Sequence, residues 1–326
     1  MEKNNNIKEI PFTNIDGIKV GHAQDIEAGT GCTVIICEEG ATAGVDVRGG
    51  SPGTRETDLL NPQNLVDKIH AVMLSGGSAF GLDAASGVMK YLEERGIGFD
   101  VQITKVPIVC SAVLFDLTVG DYRVRPDFNM GYEACKNATN EECPNGNVGA
   151  GTGATIGKFL GMERAMKGGL GSYAIQIGHL KVGAIVAVNA LGDIIDPDTG
   201  KILAGLLDEE GKKLIGTENI MAAKYSEKKN IFSGNTTIGV IATNGIFTKS
   251  EANKLASMAH NGYARTIRPA HSIFDGDTIF TIATGKVEAD INVVGFLAAR
   301  AVERAVINAI RSAESAYGLK AYRDLF

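Results

Sequence analysis

The chain is 326 residues long, 44% hydrophobic and 21% charged, with a formal net charge of -6, which suits a soluble globular protein with a large core. With no basic surplus to neutralise phosphates, nucleic acid is excluded as a partner, and no run of about 18 apolar residues is present to span a membrane. The 41 glycines stand where a typical ~7% would give about 23, so tight turns and close backbone approach are expected.

The opening MEKNNNIKEIPF lacks the apolar centre of a secretory signal. Cys32, Cys37, Cys110, Cys135 and Cys143 are odd in number and without CxxC spacing, and read as reduced thiols of a cytoplasmic protein. GCTVIICEEG and TAGVDVRGG read as two consecutive strands, with β-branched residues between turn signals. HAVMLSGGSAFGLDAASGVMKYLEERGIGF reads as strand, glycine-rich turn and helix. In it Leu82, Ala85, Val88, Met89 and Leu92 recur at three- and four-residue steps, and Gly96 ends the helix. KVPIVCSAVLFDL is a further apolar segment, and the polar stretch from 121 to 147 is expected to be a loop.

GNVGAGTGATIGKFLG then places six glycines in sixteen residues, and LKVGAIVAVNALGDII reads as a buried strand ending at Asn189. From 196 to 233 charge rises and periodicity weakens, which predicts an exposed linker and the best candidate boundary in the chain. Beyond it come the strand TTIGVIATNG, a helix around KSEANKLASMAHNGYARTI, and the strand of DGDTIFTIATG. On a final helix Val294, Leu297, Ala301, Ala305 and Ala309 share a face of small residues suited to close packing on a sheet. Strands mixed with helices predict a layered α/β or α+β fold with a mixed sheet.

Conventional chemistry finds little support. GATIGKF departs from a Walker A loop, because Phe159 follows Lys158 where Ser or Thr is needed, and SGGSAFG lacks the GxGxxG spacing. Each reads as a structural turn, and no nucleotide cofactor is expected. The histidines His22, His70, His179, His260 and His271 form no metal-binding pair, so they read as ordinary loop or core residues and no metal is expected. GLGSY and GGSAF fail the GxSxG elbow.

Thr236, in SGNTTIGVIATNG, is the remaining nucleophile. On residue type alone it is a hydroxyl residue opening a strand, which is common, and Asn235-Thr236-Thr237 also matches a glycosylation pattern. If the Asn235–Thr236 bond were cut, the freed α-amine would lie beside the hydroxyl. Its unperturbed pKa of about 8 suits a base far better than a lysine near ~10.4.

GVDVRGGSPGTRETDLLNP, LSGGSAFGLDAASGV, GNVGAGTGATIGK, NTTIGVIATN and FDGDTIFTIATG, in this order between about 11 and 318, resemble the self-processing L-aminopeptidase/D-esterase family. That family includes β-peptidyl aminopeptidases and nylon-oligomer (6-aminohexanoate oligomer) endohydrolases. The resemblance implies a four-layer α-β-β-α sandwich like that of N-terminal-nucleophile hydrolases with different strand connectivity. It also implies one hydrolase domain over 1–326, self-cleaved into 1–235 and 236–326. FDGDT, in place of an NGSGD-like stretch, leans toward the nylon-oligomer branch. The implied function is an amidase acting on linear amides or short peptides through an acyl-enzyme, with 6-aminohexanoate oligomers as a test substrate. An aminopeptidase/esterase, an acyltransferase using the same acyl-enzyme and a non-catalytic binding protein are the alternatives. Family members are commonly tetramers or larger, so a homo-oligomer is expected.

The resemblance also assigns roles. Thr236 becomes both cleavage site and nucleophile, cut from Asn235 by an N→O acyl shift, and Asn189 becomes the oxyanion donor. Asp275 and Asp277 match an acidic pair that would orient the α-amine and raise its pKa, with Lys158 opposing that shift; residue type alone makes Asp-Gly-Asp a solvated turn and Lys158 a surface lysine. Gly151, Thr152 and Gly153 are expected at the substrate through their backbone amides. Phe115 stands where relatives often carry tyrosine, which removes a hydroxyl from the pocket. Arg48, Arg55, Glu56 and Asp58 are expected to hold a turn through ion pairs.

Overall fold

The stretch that reads as two strands in the sequence is one. In the computed structural model, which describes residues 7–141, 143–226 and 234–326, Thr30–Val47 forms a single strand. Glu38, Glu39 and Gly40 do not reverse the chain. The register against the neighbouring strand Lys68–Ser75 merely shifts between Ile36 and Ala41, so both halves stay paired to the same partner. A bulge replaces the expected turn and bends the strand.

The ten strands of the main sheet are numbered in chain order as β1 Lys8–Ile10, β2 Lys19–Asp25, β3 Thr30–Val47, β4 Thr54–Arg55 and β5 Lys68–Ser75. They continue as β6 Val109–Val113, β7 Gly169–Ile177, β8 Leu180–Val188, β9 Ile238–Gly245 and β10 Thr278–Val287. Their spatial order is β1-β7-β8-β9-β10-β3-β5-β6-β4, with β2 on the outer part of β3. The sheet is mixed: β9 and β10 are parallel, as are β5 and β6, and the other neighbours are antiparallel.

Period-two alternation sorts the side chains into three cores. Val182, Ala184, Val186 and Val188 of β8 point toward the helices α4 (Lys249–Thr266) and α5 (Ile291–Ser312), and meet Leu255, Ala259, Leu297, Ala301 and Ala305. Ile185 and Ala187 point the other way, into a middle core with Val240, Phe280 and Ile282 from one half of the sheet and Ile35, Val72 and Cys110 from the other. Val34 and Met73 face outward again, against Ala85, Val88 and Leu92 of α1 (Ala84–Glu93) and Ala134 of α2 (Phe128–Lys136). Helix, sheet, sheet and helix are therefore stacked as the resemblance implies. Helices α1 and α2 cross at glycines: a Cβ on Gly87 would lie 1.9 Å from the Phe128 carbonyl oxygen, and one on Gly131 would lie 1.9 Å from that of Ala84.

Two further sequence expectations fail. The supposed loop from 121 to 147 contains α2, started by the Asp127 carboxylate accepting the Met130 N–H, with Cys135 fully buried. The supposed linker contributes Ile202–Ala204 to a small sheet with Asp193–Ile195 and Ile267–Arg268, and α3 at Thr217–Ala223. Leu203, Ala204, Leu206 and Leu207 are buried there; six apolar or glycine residues in a charged surround are too short a run to register as periodic. Residues 227–233 of that segment lie outside the described residues. All five cysteines are free, and no described helix is long and apolar enough to cross a membrane.

Candidate active site

Strand direction gathers the chemistry. Strand β8 runs antiparallel to β9 with Ala187 opposite Ile238, β9 parallel to β10 with Ile238 opposite Thr278, and β10 antiparallel to β3 with Thr278 opposite Val47. Residues just after β8 and β3, and just before β9 and β10, must therefore meet at one end of the sheet. Those residues are Asn189, Arg48–Gly53, Asn235–Thr237 and Asp275–Asp277.

Thr236 is 5% exposed. Its N–H donates to the Asn189 carbonyl at 2.8 Å, and its hydroxyl lies against the carbonyl of Asn235. That carbonyl oxygen also accepts the Gly276 N–H at 3.1 Å. Gly276 has no room for a side chain, since a Cβ there would sit 2.7 Å from Thr236 Oγ1. The bond before Thr236 is thus buried, polarised by a backbone donor and in contact with a hydroxyl.

Asn189 is fully buried, and three donors converge on its Oδ1: Thr155 N at 3.0 Å, Thr155 Oγ1 at 3.2 Å and Lys158 Nζ at 2.8 Å. They fix the amide orientation, so Nδ2 points toward Phe115, donating to its carbonyl at 3.0 Å. Lys158 is no surface residue. It is 2% exposed, with Nζ also 3.4 Å from the Gly234 carbonyl. Burial draws its pKa from 10.5 down to about 7, against the opposing pull of the Asp275 and Asp116 charges.

The two carboxylates are not a solvated turn either, being 3% and 2% exposed. Asp275 accepts the Ser272 N–H at 2.6 Å, and burial together with the Asp277 charge raises its pKa to about 6. Asp277 uses both oxygens. Oδ1 accepts the N–H of Thr237, next to Thr236, at 2.8 Å; Oδ2 accepts the His271 N–H at 3.0 Å and faces His271 Nδ1 at 2.9 Å.

Other expected residues are placed differently. Gly151, Thr152 and Gly153 are buried behind Asn189, their loop held by Lys167, whose Nζ donates to the carbonyls of Gly151 and Ala154 at 2.9 and 3.0 Å. They do not line the cavity over Thr236. The loop acts instead through Thr155, which holds Asn189. That cavity, of about 120 Å³, is walled by Ser51, Pro52, Gly53, Val113, Phe115 and Phe274 among others. Two larger clefts, of about 480 and 350 Å³, contain none of these residues in their walls. The Arg48–Asp58 ion-pair network does not form: Arg48 pairs with Asp46 at 2.9 Å, and Arg55 reaches Ser86. The segment acts through its backbone, because the N–H groups of Arg48 and Ser51 brace the carbonyls of Asp277 and Asp275 at 2.9 and 2.8 Å.

A model of peptidase family S58 matches residues 11–323. The chain belongs to that family. As an S58 chain it is a hydrolase acting on amide bonds. It is 41% identical to an uncharacterized aminopeptidase of Mycobacterium leprae, over 97% of this chain and 94% of the relative. A 6-aminohexanoate-oligomer endohydrolase of a Kocuria species is 32% identical, over 83% of this chain and 74% of the relative. Among solved structures, the L-aminopeptidase D-Ala-esterase/amidase of Ochrobactrum anthropi, described as a variant of the Ntn hydrolase fold, superposes with a TM-score of 0.70 at 19% identity, covering 93% of this chain and 86% of that one. The S58 chain therefore shares that fold.

Within this S58 site, sequence reasoning passed over Gly276 and His271. Nothing in a lone Asp-Gly-Asp or a lone histidine marks either; only the register of β9 and β10 does. His271 has a left-handed backbone, at φ 58°, a conformation that surrounding structure must hold in place. Its ring packs on His260 with centroids 4.9 Å apart. His271→Leu, which strips a donor from Asp277, is expected to lower kcat about 10–100-fold with little change in KM. His271→Asn, which retains a donor at the Nδ1 position, is expected to restore most of it. Steady-state kinetics on an amide substrate checks both.

Proposed function

We propose that the chain is a self-processing amide hydrolase with an N-terminal threonine. The observation that carries this is the arrangement about Asn235–Thr236: a hydroxyl in contact with the preceding carbonyl, and a backbone N–H already on that carbonyl's oxygen. Thr236 Oγ1 adds to the Asn235 carbonyl carbon, the C–N bond breaks, and water hydrolyses the resulting ester. The new α-amine remains beside the Asn189 carbonyl and takes the hydroxyl proton in later turnovers, with Lys158, titrating near 7, as a second group able to carry a proton. Asn189 Nδ2 supports the oxyanion, and Asp277 holds the backbone that carries the nucleophile.

The cut would give residues 1–235 and 236–326, which stay together because β9 and β10 of the small chain pair with β8 and β3 of the large one. Linear amides and short peptides are the proposed substrates. The relatives named as 6-aminohexanoate-oligomer endohydrolases make those oligomers the first test. Relatives at 41% identity named as aminopeptidases favour a second reading, in which the substrate presents a free amine.

Intact mass after incubation, followed by turnover of amides with free and acetylated amines, tests the proposal. Two species dividing between Asn235 and Thr236, together with amide turnover, are expected. A chain that stays whole and hydrolyses no amide would overturn it in favour of a binding protein.

A further inference from the structure

Self-processing and turnover pass through the same kind of ester. In processing, Thr236 Oγ1 adds to the Asn235 carbonyl, the bond to Thr236 N breaks, and the hydroxyl proton ends on the released amine. In turnover the same oxygen adds to a substrate carbonyl and the substrate amine leaves with that proton. Either way an acyl group sits on Thr236 Oγ1 until water removes it as a carboxylic acid. The acyl carbon shifts by no more than about one bond length in the N→O step. Gly234 and Asn235 of the uncut chain therefore lie where the acyl part of a substrate must lie, and their surroundings describe that subsite.

The subsite has a definite shape. Asn235 is extended, bridged in parallel to Asp275, with its carbonyl oxygen on Gly276 N; the Gly234 carbonyl faces Lys158 Nζ at 3.4 Å. The position directly before the bond carries a side chain, that of Asn235, and buries it. One residue further out there is no space. A Cβ on Gly234 would stand 2.1, 2.4 and 2.7 Å from Cγ, Cδ1 and Cβ of Phe115. Turning the ring about Cβ–Cγ leaves Cγ and Cβ in place, and swinging it about Cα–Cβ still leaves Cβ at 2.7 Å.

Moving Cβ means moving the backbone, which is held on both sides. Leu114 N donates to Ser75 at 2.8 Å, the Phe115 carbonyl accepts from Asn189, and the buried Asp116 carboxylate accepts from Thr30 Oγ1 and Gly77 N, both at 2.7 Å.

We propose that this enzyme prefers peptide acyl donors with glycine two places before the bond it cuts, and that Phe115 is the residue enforcing that preference. A larger residue directly before the bond is accepted. The inference rests on the hydrolase reading above and adds a substrate class to it: peptides or N-acylated glycyl amides that are unbranched at that second position.

The test compares processed enzyme on acetyl-Gly-Asn-anilide, acetyl-Val-Asn-anilide and acetyl-Asn-anilide. Overpacking a fixed site predicts a kcat/KM about 10–100-fold higher for the glycyl than for the valyl compound. In Phe115→Ala that ratio is expected to fall to within about threefold. The precursor offers a second readout that needs no added substrate: Gly234→Val slows self-cleavage by a similar factor, and Phe115→Ala in the same chain restores it.

Equal turnover of the glycyl and valyl compounds, by enzyme that cleaves acetyl-Asn-anilide, would overturn the inference and leave the hydrolase reading standing. Cleavage of none of the three, by enzyme active on 6-aminohexanoate oligomers, would do the same. A valyl variant at 234 that cuts itself at the wild-type rate would also overturn it.

Discussion

Thr236→Ala is expected to remain one chain of full mass and to lose amide hydrolysis by about 10⁴-fold or more. Both losses have a single cause, because the hydroxyl in contact with the Asn235 carbonyl is the only atom removed that can form the ester. The fold should survive the change. Thr236 is tied to its surroundings by its backbone, through its N–H on Asn189 and through the strand that follows it. Loss of one side-chain hydrogen bond costs only about 1 kcal/mol. Thr236→Ser, which keeps the hydroxyl, should still cut itself, and the comparison separates loss of the nucleophile from loss of structure. Intact mass, thermal unfolding and amide kinetics on the three proteins decide it; full processing of the alanine variant would remove Thr236 from the mechanism.

Lys158→Met is expected to lower both self-cleavage and kcat by about 10²–10⁴-fold, the usual weight of a positioned proton carrier. Its pH signature is specific. Burial brings Lys158 to about 7, so the free amine becomes the major form as pH rises past 7. A mechanism that uses it gains rate over roughly pH 6 to 8, then levels. Asp275, raised to about 6, ionises in the same direction and sets the lower end of that rise. In Lys158→Met the limb near 7 should vanish, leaving the Asp275 limb, moved upward because the Lys158 charge that lowers it is gone.

The substitution should move stability in the sense opposite to activity. Between about 7 and its ordinary 10.5, Lys158 is neutral when folded and protonated when unfolded. The unfolded state then binds more protons, and stability climbs with pH across that window. The methionine variant, with no ammonium to bury, should be more stable than wild type at pH 7 and should lose part of that slope. Lys167, also brought by burial to about 7, keeps the remainder. A variant that is less active yet more stable cannot owe its lost activity to unfolding.

How far the sequence goes is clear from individual positions. Asn189, Thr236 and the Asp275–Asp277 pair sit at strand ends, and strand ends are visible as apolar runs giving way to polar residues. What brings those particular ends together is the order β8-β9-β10-β3, which no local pattern encodes. Lys158 shows the limit in another way, since a lysine in a glycine-rich loop reads as exposed until the loop is seen folded behind Asn189. The α2 helix was hidden because its buried side offers only Gly131, Ala134 and Cys135, too few large apolar residues to outweigh its charges. The Gly151–Gly153 loop reads as a substrate cradle, whereas the structure folds it behind Asn189, which Thr155 and Lys158 just after it reach.

The placement of β9 and β10 has a consequence for the life of the molecule after the cut. Together they lie between β8 and β3, which would then belong to the other polypeptide, so a clip in the middle of the sequence divides the interior of the sheet and leaves its edges untouched. The uncut chain can regain its structure alone, by a first-order process. The cut protein, once melted, becomes two polypeptides that must find each other again, and its recovery then depends on concentration. Maturation at Thr236 would turn a protein that can refold by itself into one whose assembly is, in dilute solution, made only once.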